Sequence, residues 1–224
     1  MKNNFIIGII VTIFAGLNTS CVDDHVEPVD MTLKVGNVYC ANSAIIPVDY
    51  YLQGYNSQAV GVVAAVGTEE DNFRALIMSL EDLGRARFLN DINIEVDNIY
   101  TDAEEYNGKE STSALVYAAS QNDKIYPDAA LLCSGYMAGS ITGWHLPAIA
   151  EWKRAAVNKE TISRTLALLE VQGFRDDWYQ TSTADGASDE TTLMYNYVIT
   201  LPEGRVTSSI MTEEHYVRPF LTLK

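Results

Sequence analysis

Apolar and polar positions divide the chain into one apolar run, then strands, then helices, then strands again. Residues 5–17 (FIIGIIVTIFAGL) are uncharged and apolar and follow Lys2. A bilayer-spanning helix needs about 20 such residues, so this run fits the core of an export signal. Residues 22–31 are acidic, contain Pro28 and show no periodicity, which reads as a tether. Residues 32–39 and 59–66 read as strands, with Tyr50, Tyr51 and Tyr55 in a loop-like segment between them. The run 74–83 (RALIMSLEDL) fits a strand or a short helix equally well. Residues 84–110 are polar and read as irregular. Ser111, Thr112 or Ser113 can cap a helix that runs to about Ser120. A second helix is expected over 127–137, with Pro127 in its first turn. Pro147 opens the best-patterned helix, whose Ile149, Trp152 and Ala156 share one face. Another helical stretch covers 162–171 and closes at Gly173. Residues 178–183, 192–201, 205–211 and 216–223 are rich in β-branched and aromatic side chains, and Pro202-Glu203-Gly204 signals a hairpin turn. Strands, helices, then strands make an α+β layout.

Cys21 gives the apolar run its meaning. Thr19 and Ser20 precede it, and Val22-Asp23-Asp24-His25-Val26-Glu27-Pro28 follows. This arrangement resembles a bacterial lipoprotein signal of the looser kind typical of Bacteroidetes, with Asn18 where such signals usually carry leucine. The resemblance implies cleavage after residue 20, lipidation of Cys21 and display on the outer membrane, where acidic residues behind the cysteine mark surface exposure. The division is then a signal over 1–20, a tether over 21–31 and one domain over 32–224. Two or more acyl chains, at about 0.8 kcal/mol per buried methylene, anchor a protein stably.

Charge narrows the partners. The chain carries 30 acidic against 15 basic side chains, a formal net charge of −15, and loss of the signal removes one more base and no acid. Such a chain is unsuited to nucleic acid, whose binding rests on basic groups. An exported chain allows Cys40 and Cys133 to pair; two buried free thiols are the equal alternative. Without a CxxC motif, neither a metal knuckle nor a redox pair is indicated.

A second resemblance lies further along. Gly143-Trp144-His145-Leu146-Pro147 with Glu151-Trp152 resembles the "GWxLPxxxEW" segment of two related groups. One contains the C-terminal domain of the Legionella collagen-like adhesin; the other is the formylglycine-generating, sulfatase-modifying family. Residues 178–183 (WYQTST) resemble the "YWSST" strand of the first group, residues 217–220 (VRPF) its closing "VRPV", and 107–112 its "DGxxNT". The resemblance implies a C-type-lectin-like domain, with helices packed on a twisted, mostly antiparallel sheet and a strand over 75–79. Trp144, Trp152 and Trp178 are then expected in the core, and Arg218 paired with a carboxylate such as Glu151. The cysteines that sulfatase-modifying enzymes use have no counterpart after Cys133.

Catalytic patterns are weak. The acidic runs at 69–71, 104–105, 176–177 and 213–214 are sequence neighbours, whereas a glycosidase needs carboxylates facing across a sugar. His25, His145 and His215 lie far apart, so zinc is not indicated, and no serine lies in a GxSxG elbow. Asp185, Asp189 and Glu190 offer hard oxygens for calcium, with a solvated turn as the competing reading. The expected function is a non-catalytic surface module that binds a glycan or protein. A structural or accessory subunit of a surface assembly, such as a pilus tip or uptake complex, is the alternative. Tyr50, Tyr51, Tyr55, Tyr100 and Tyr106 are the candidate ligand platform, and exposure of these rings is the feature that would favour sugar binding.

Overall fold

A computed structural model describes residues 29–93, 96, 99–186, 195–201 and 203–224. The signal, Cys21 and most of the tether fall outside these residues. The described chain is a mixed α+β fold with two five-stranded, mostly antiparallel sheets and five helices.

The first sheet has the order β10-β4-β3-β1-β2, built from β1 (Val38–Cys40), β2 (Ile45–Ile46), β3 (Ala59–Val66), β4 (Ala75–Ser79) and β10 (Phe220–Leu223). β4, β3 and β1 are its interior strands, and β3 and β4 are buried along nearly their whole length. Both faces are covered, which is why AVGVVAAV shows no apolar–polar alternation. On one face Val62, Leu76 and Met78 meet Trp152, Ile162 and Leu166. On the other, Val63 and Ile77 meet Trp144 and Leu221. At Gly61 a Cβ would fall 2.5 Å from the Ile77 side chain, so the central strand passes its neighbour where no side chain fits.

The second sheet has the order β5-β9-β6-β7-β8, from β5 (Arg85–Arg87), β6 (Tyr179–Ala184), β7 (Tyr195–Ile199), β8 (Val206–Ile210) and β9 (Glu214–Tyr216). Only the β6–β9 contact is parallel. The helices are α1 (Val48–Leu52), α2 (Gly108–Gln121), α3 (Asp128–Gly135), α4 (Ile149–Val157) and α5 (Lys159–Leu168). α4 touches β3, β6 and β7 and so bridges the sheets, with Trp152 packed between Tyr179 and Phe220. No helix among the described residues is long and apolar enough to cross a membrane.

Several expectations change. The strand expected over 32–39 shrinks to β1, because the chain turns at Lys34–Asn37 with Gly36 at φ 85°. Tyr50 and Tyr51 lie on α1, not in a loop. α2 begins at Gly108, so Ser111 and Thr112 are buried inside it instead of capping it. β5 lies within the stretch expected to be irregular. The strand expected over 216–223 breaks at Val217-Arg218-Pro219, where Pro219 has no N–H to donate, and its halves serve different sheets. Two sheets therefore stand where one was expected. Trp178 is half-buried, with the Arg205 guanidinium 5.6 Å from its ring centre. Cys40 and Cys133 are buried free thiols in separate clusters, and burial pushes both pKa values up.

Candidate functional site

Arg218 is fully buried and lies at the centre of a polar network. Its Nε sits 2.7 Å from Asp82 Oδ1, and its Nη2 donates to the carbonyl of Gln172 at 3.0 Å. The expected partner, Glu151, is engaged elsewhere. The Arg218–Asp82 contact is too bent to be a hydrogen bond, so the attraction is chiefly Coulombic, and Nη1 has no partner among the described residues. Asp82 Oδ2 accepts from Arg175 Nε at 2.9 Å and Gln172 Nε2 at 3.2 Å. Both oxygens of Asp82 therefore face cations.

Above this network lies a groove of about 580 Å³. Gln58 and Val60 enter it from the start of β3, Glu81 and Asp82 from the end of β4, Tyr136 and Met137 from behind α3, and Gln172 from behind α5. Burial, followed by the Glu81 charge, pushes the Tyr136 phenol up to about 12, so it keeps its proton at neutral pH. Its ring is wedged edge-on against Trp144 at 5.4 Å. Two side-chain amides, two carboxylates and a fixed phenol thus converge on one space, and Met137, 63% exposed, forms an apolar rim.

Two buried clusters resemble catalytic parts. His145 Nε2 lies 3.2 Å from Glu151 Oε2, which also accepts the N–H of Ala148 at 2.9 Å. Glu151 is the third residue of α4, and this bond satisfies an otherwise orphaned N–H at the helix start. The second cluster is Ser209, whose Oγ donates to Glu213 Oε2 at 2.8 Å and lies 2.7 Å from His215 Nε2. A hydroxyl has one proton, so Nε2 must donate to Oγ. A Ser–His nucleophile needs the reverse, with the carboxylate on the other ring nitrogen; here Nδ1 is unpartnered. This cluster does not activate the serine.

Burial, aided by Arg85, holds the His215 pKa below its ordinary 6.5. The unfolded chain then binds more protons than the folded one as pH falls through 6.5, so the histidine's contribution to stability declines there. Melting temperature should drop between pH 7.5 and pH 5, and His215→Gln should flatten that part of the profile in a thermal-shift series. An unchanged slope would contradict a buried neutral imidazole.

The expected tyrosine platform is packed into the fold. Tyr50, Tyr51 and Tyr55 are half-buried against Val38, Cys40 and Ile46, and the Tyr51 hydroxyl accepts the N–H of Ala59. Tyr106 stacks edge-on to Phe73 at 5.2 Å, and Tyr100 is half-buried. The exposed tyrosines are Tyr117 (66%) and Tyr126 (50%). Asp185 receives hydrogen bonds from Tyr197 and Ser208, while Asp189 and Glu190 lie outside the described residues. Among the described residues no group of three or more His, Cys, Asp or Glu could hold a metal. Gln58, Glu81, Asp82, Tyr136 and Gln172 escaped the sequence reading. One signal was present: Asp82 lies between Leu80 and Leu83 just beyond β4, an unusual place for an acid unless a buried cation awaits it.

No family model, curated protein or solved structure matches the chain.

Proposed function

We propose that this protein is a non-catalytic binding module of C-type-lectin-like type, held at the outer face of a bacterial outer membrane by lipid on Cys21. Its seat is the groove over Arg218, and its ligand is a neutral, hydroxyl-rich molecule such as a glycan. The observation that carries the reading is the convergence of Gln58, Glu81, Tyr136 and Gln172 on one groove whose floor is locked by the Asp82–Arg218–Arg175 network. Amides and carboxylates recognise vicinal hydroxyls by paired hydrogen bonds, and preorganised groups lose little entropy on binding. The groove's local charges largely offset one another, which suits an uncharged ligand.

The other reading, a subunit that docks a protein, draws on the outer face of α3, where Leu131 and Leu132 are 38% and 40% exposed. A glycan and matrix array probed with the detergent-solubilised full chain separates the two. Binding to one glycan class, weakened about tenfold or more by Gln172→Ala and Glu81→Ala at unchanged melting temperature, supports the groove. Silence on the array with a stable co-purifying protein overturns it in favour of docking. The same strain tests the anchor: Cys21→Ala should move the protein out of the membrane fraction, and continued membrane association refutes lipidation.

A further inference from the structure

β8 ends the second sheet, and among the described residues no strand pairs with its far edge. All its residues except Ser209 are exposed. Its sequence, Val206-Thr207-Ser208-Ser209-Ile210, holds no charge and no proline, the usual devices that block edge-to-edge pairing. Backbone direction on this edge follows from two bonds. The carbonyl of Arg205 accepts the N–H of Thr200 at 2.9 Å, so it points toward β7. Antiparallel strands alternate, so Thr207 and Ser209 also face β7, while Val206, Ser208 and Ile210 face outward. The Ile210 carbonyl is consistent with this, because it accepts Glu213 N–H in a turn instead of pairing with β7.

We propose that β8 pairs antiparallel with β8 of a second copy of this chain, about a two-fold axis through Ser208. The strand is self-complementary in that register. Ser208 meets Ser208 of the second copy and exchanges both backbone hydrogen bonds with it. Val206 meets Ile210 of the second copy on one face, and the axis repeats the pair. Both side chains are 38% exposed in the single chain and lie beside Ile199 and Tyr195 of β7. Thr207 meets Ser209 on the other face. About four backbone hydrogen bonds and two apolar pairs form, and the two sheets join into one. A second copy fits better than an unrelated strand, because isologous pairing needs the strand to match its own reverse, as it does here.

The contact is small and is weak in dilute solution. Asp185, which accepts from the Ser208 hydroxyl, opposes its own copy across the axis and weakens it further. Confinement to a membrane supplies the concentration that solution lacks, and pairing would then present two grooves together. That consequence rests on the anchor and groove proposed above; the pairing itself does not.

The test uses the full chain in detergent. Directly opposed residues of a hydrogen-bonded pair have Cα atoms about 5.5 Å apart, within disulfide reach. Ser208→Cys should therefore give a disulfide-linked dimer on a non-reducing gel, and Thr207→Cys, which faces Ser209, should give far less. Light scattering over a hundredfold concentration range should show a monomer–dimer equilibrium. Val206→Lys and Ile210→Glu should each weaken it about fivefold or more, since symmetry counts each change twice. The double variant should recover dimerisation, because the introduced lysine faces the introduced glutamate across the axis. Unchanged melting temperatures show that each variant is folded. A monomer at every concentration, equal cross-linking at both cysteine positions, or a double variant no better than the singles would overturn the pairing.

Discussion

Arg218→Met is expected to lower the unfolding free energy by about 3–5 kcal/mol, the largest effect of any single substitution in the groove. The cost comes from what is left behind. Arg218 is fully buried, and Asp82 has a side chain only 1% exposed. Removing the guanidinium leaves a buried carboxylate with Arg175, itself 39% exposed, as its remaining cation and Gln172 as a neutral donor. Domains of this kind are stable by about 5–15 kcal/mol, so the variant sits near the folding threshold. Arg218→Met with Asp82→Leu removes both charges and should recover most of the loss, because apolar replacement of a whole buried pair is often neutral or better. Denaturant titrations of the wild type, both single variants and the double give the coupling. A single-variant cost below about 1 kcal/mol would mean that water reaches the pair and that the groove floor is not locked.

The same pair shows what the sequence could and could not supply. The strand over 75–79 is expected only from the family resemblance, whereas identities over 59–66, 149–157 and 206–210 follow from local features: an unbroken apolar run, a Leu-Pro helix start and a turn signal. Those features act within a few residues, and the structure keeps them. Failures occur where distant residues decide. Arg218 needs a carboxylate, but local sequence does not distinguish Glu151 from Asp82, which is 136 positions away along the chain. Glu151 was unavailable because its own helix start needs it. Likewise, Tyr50, Tyr51 and Tyr55 look like a loop cluster until Val38 and Ile46 fold against them. The groove was not legible, because its walls come from four connections whose side chains carry no shared motif.

Gly108→Ala should destabilise by about 2–4 kcal/mol, against the sign that helix propensity alone would give. Gly108 is the first residue of α2, where alanine is ordinarily worth up to about 1 kcal/mol over glycine. Here the added methyl would overlap Glu151 Oε2 and stand 2.7 Å from the Ala148 nitrogen and 2.9 Å from His145 Cδ2. Ala148 N is backbone and cannot step aside. Glu151 can make room only by leaving the Ala148 N–H and the His145 ring, which orphans a buried donor and moves a carboxylate that is 1% exposed. Overpacking and the broken hydrogen bonds act in the same direction and outweigh propensity. Lys109→Ala, one residue on and exposed, should change stability by less than about 0.5 kcal/mol. Adding Glu151→Ala to Gly108→Ala should cost much less than Glu151→Ala costs in the wild type, because the methyl then occupies space the carboxylate has vacated. A Gly108→Ala protein as stable as wild type in chemical denaturation would show that the α2–α4 junction is looser than these contacts require.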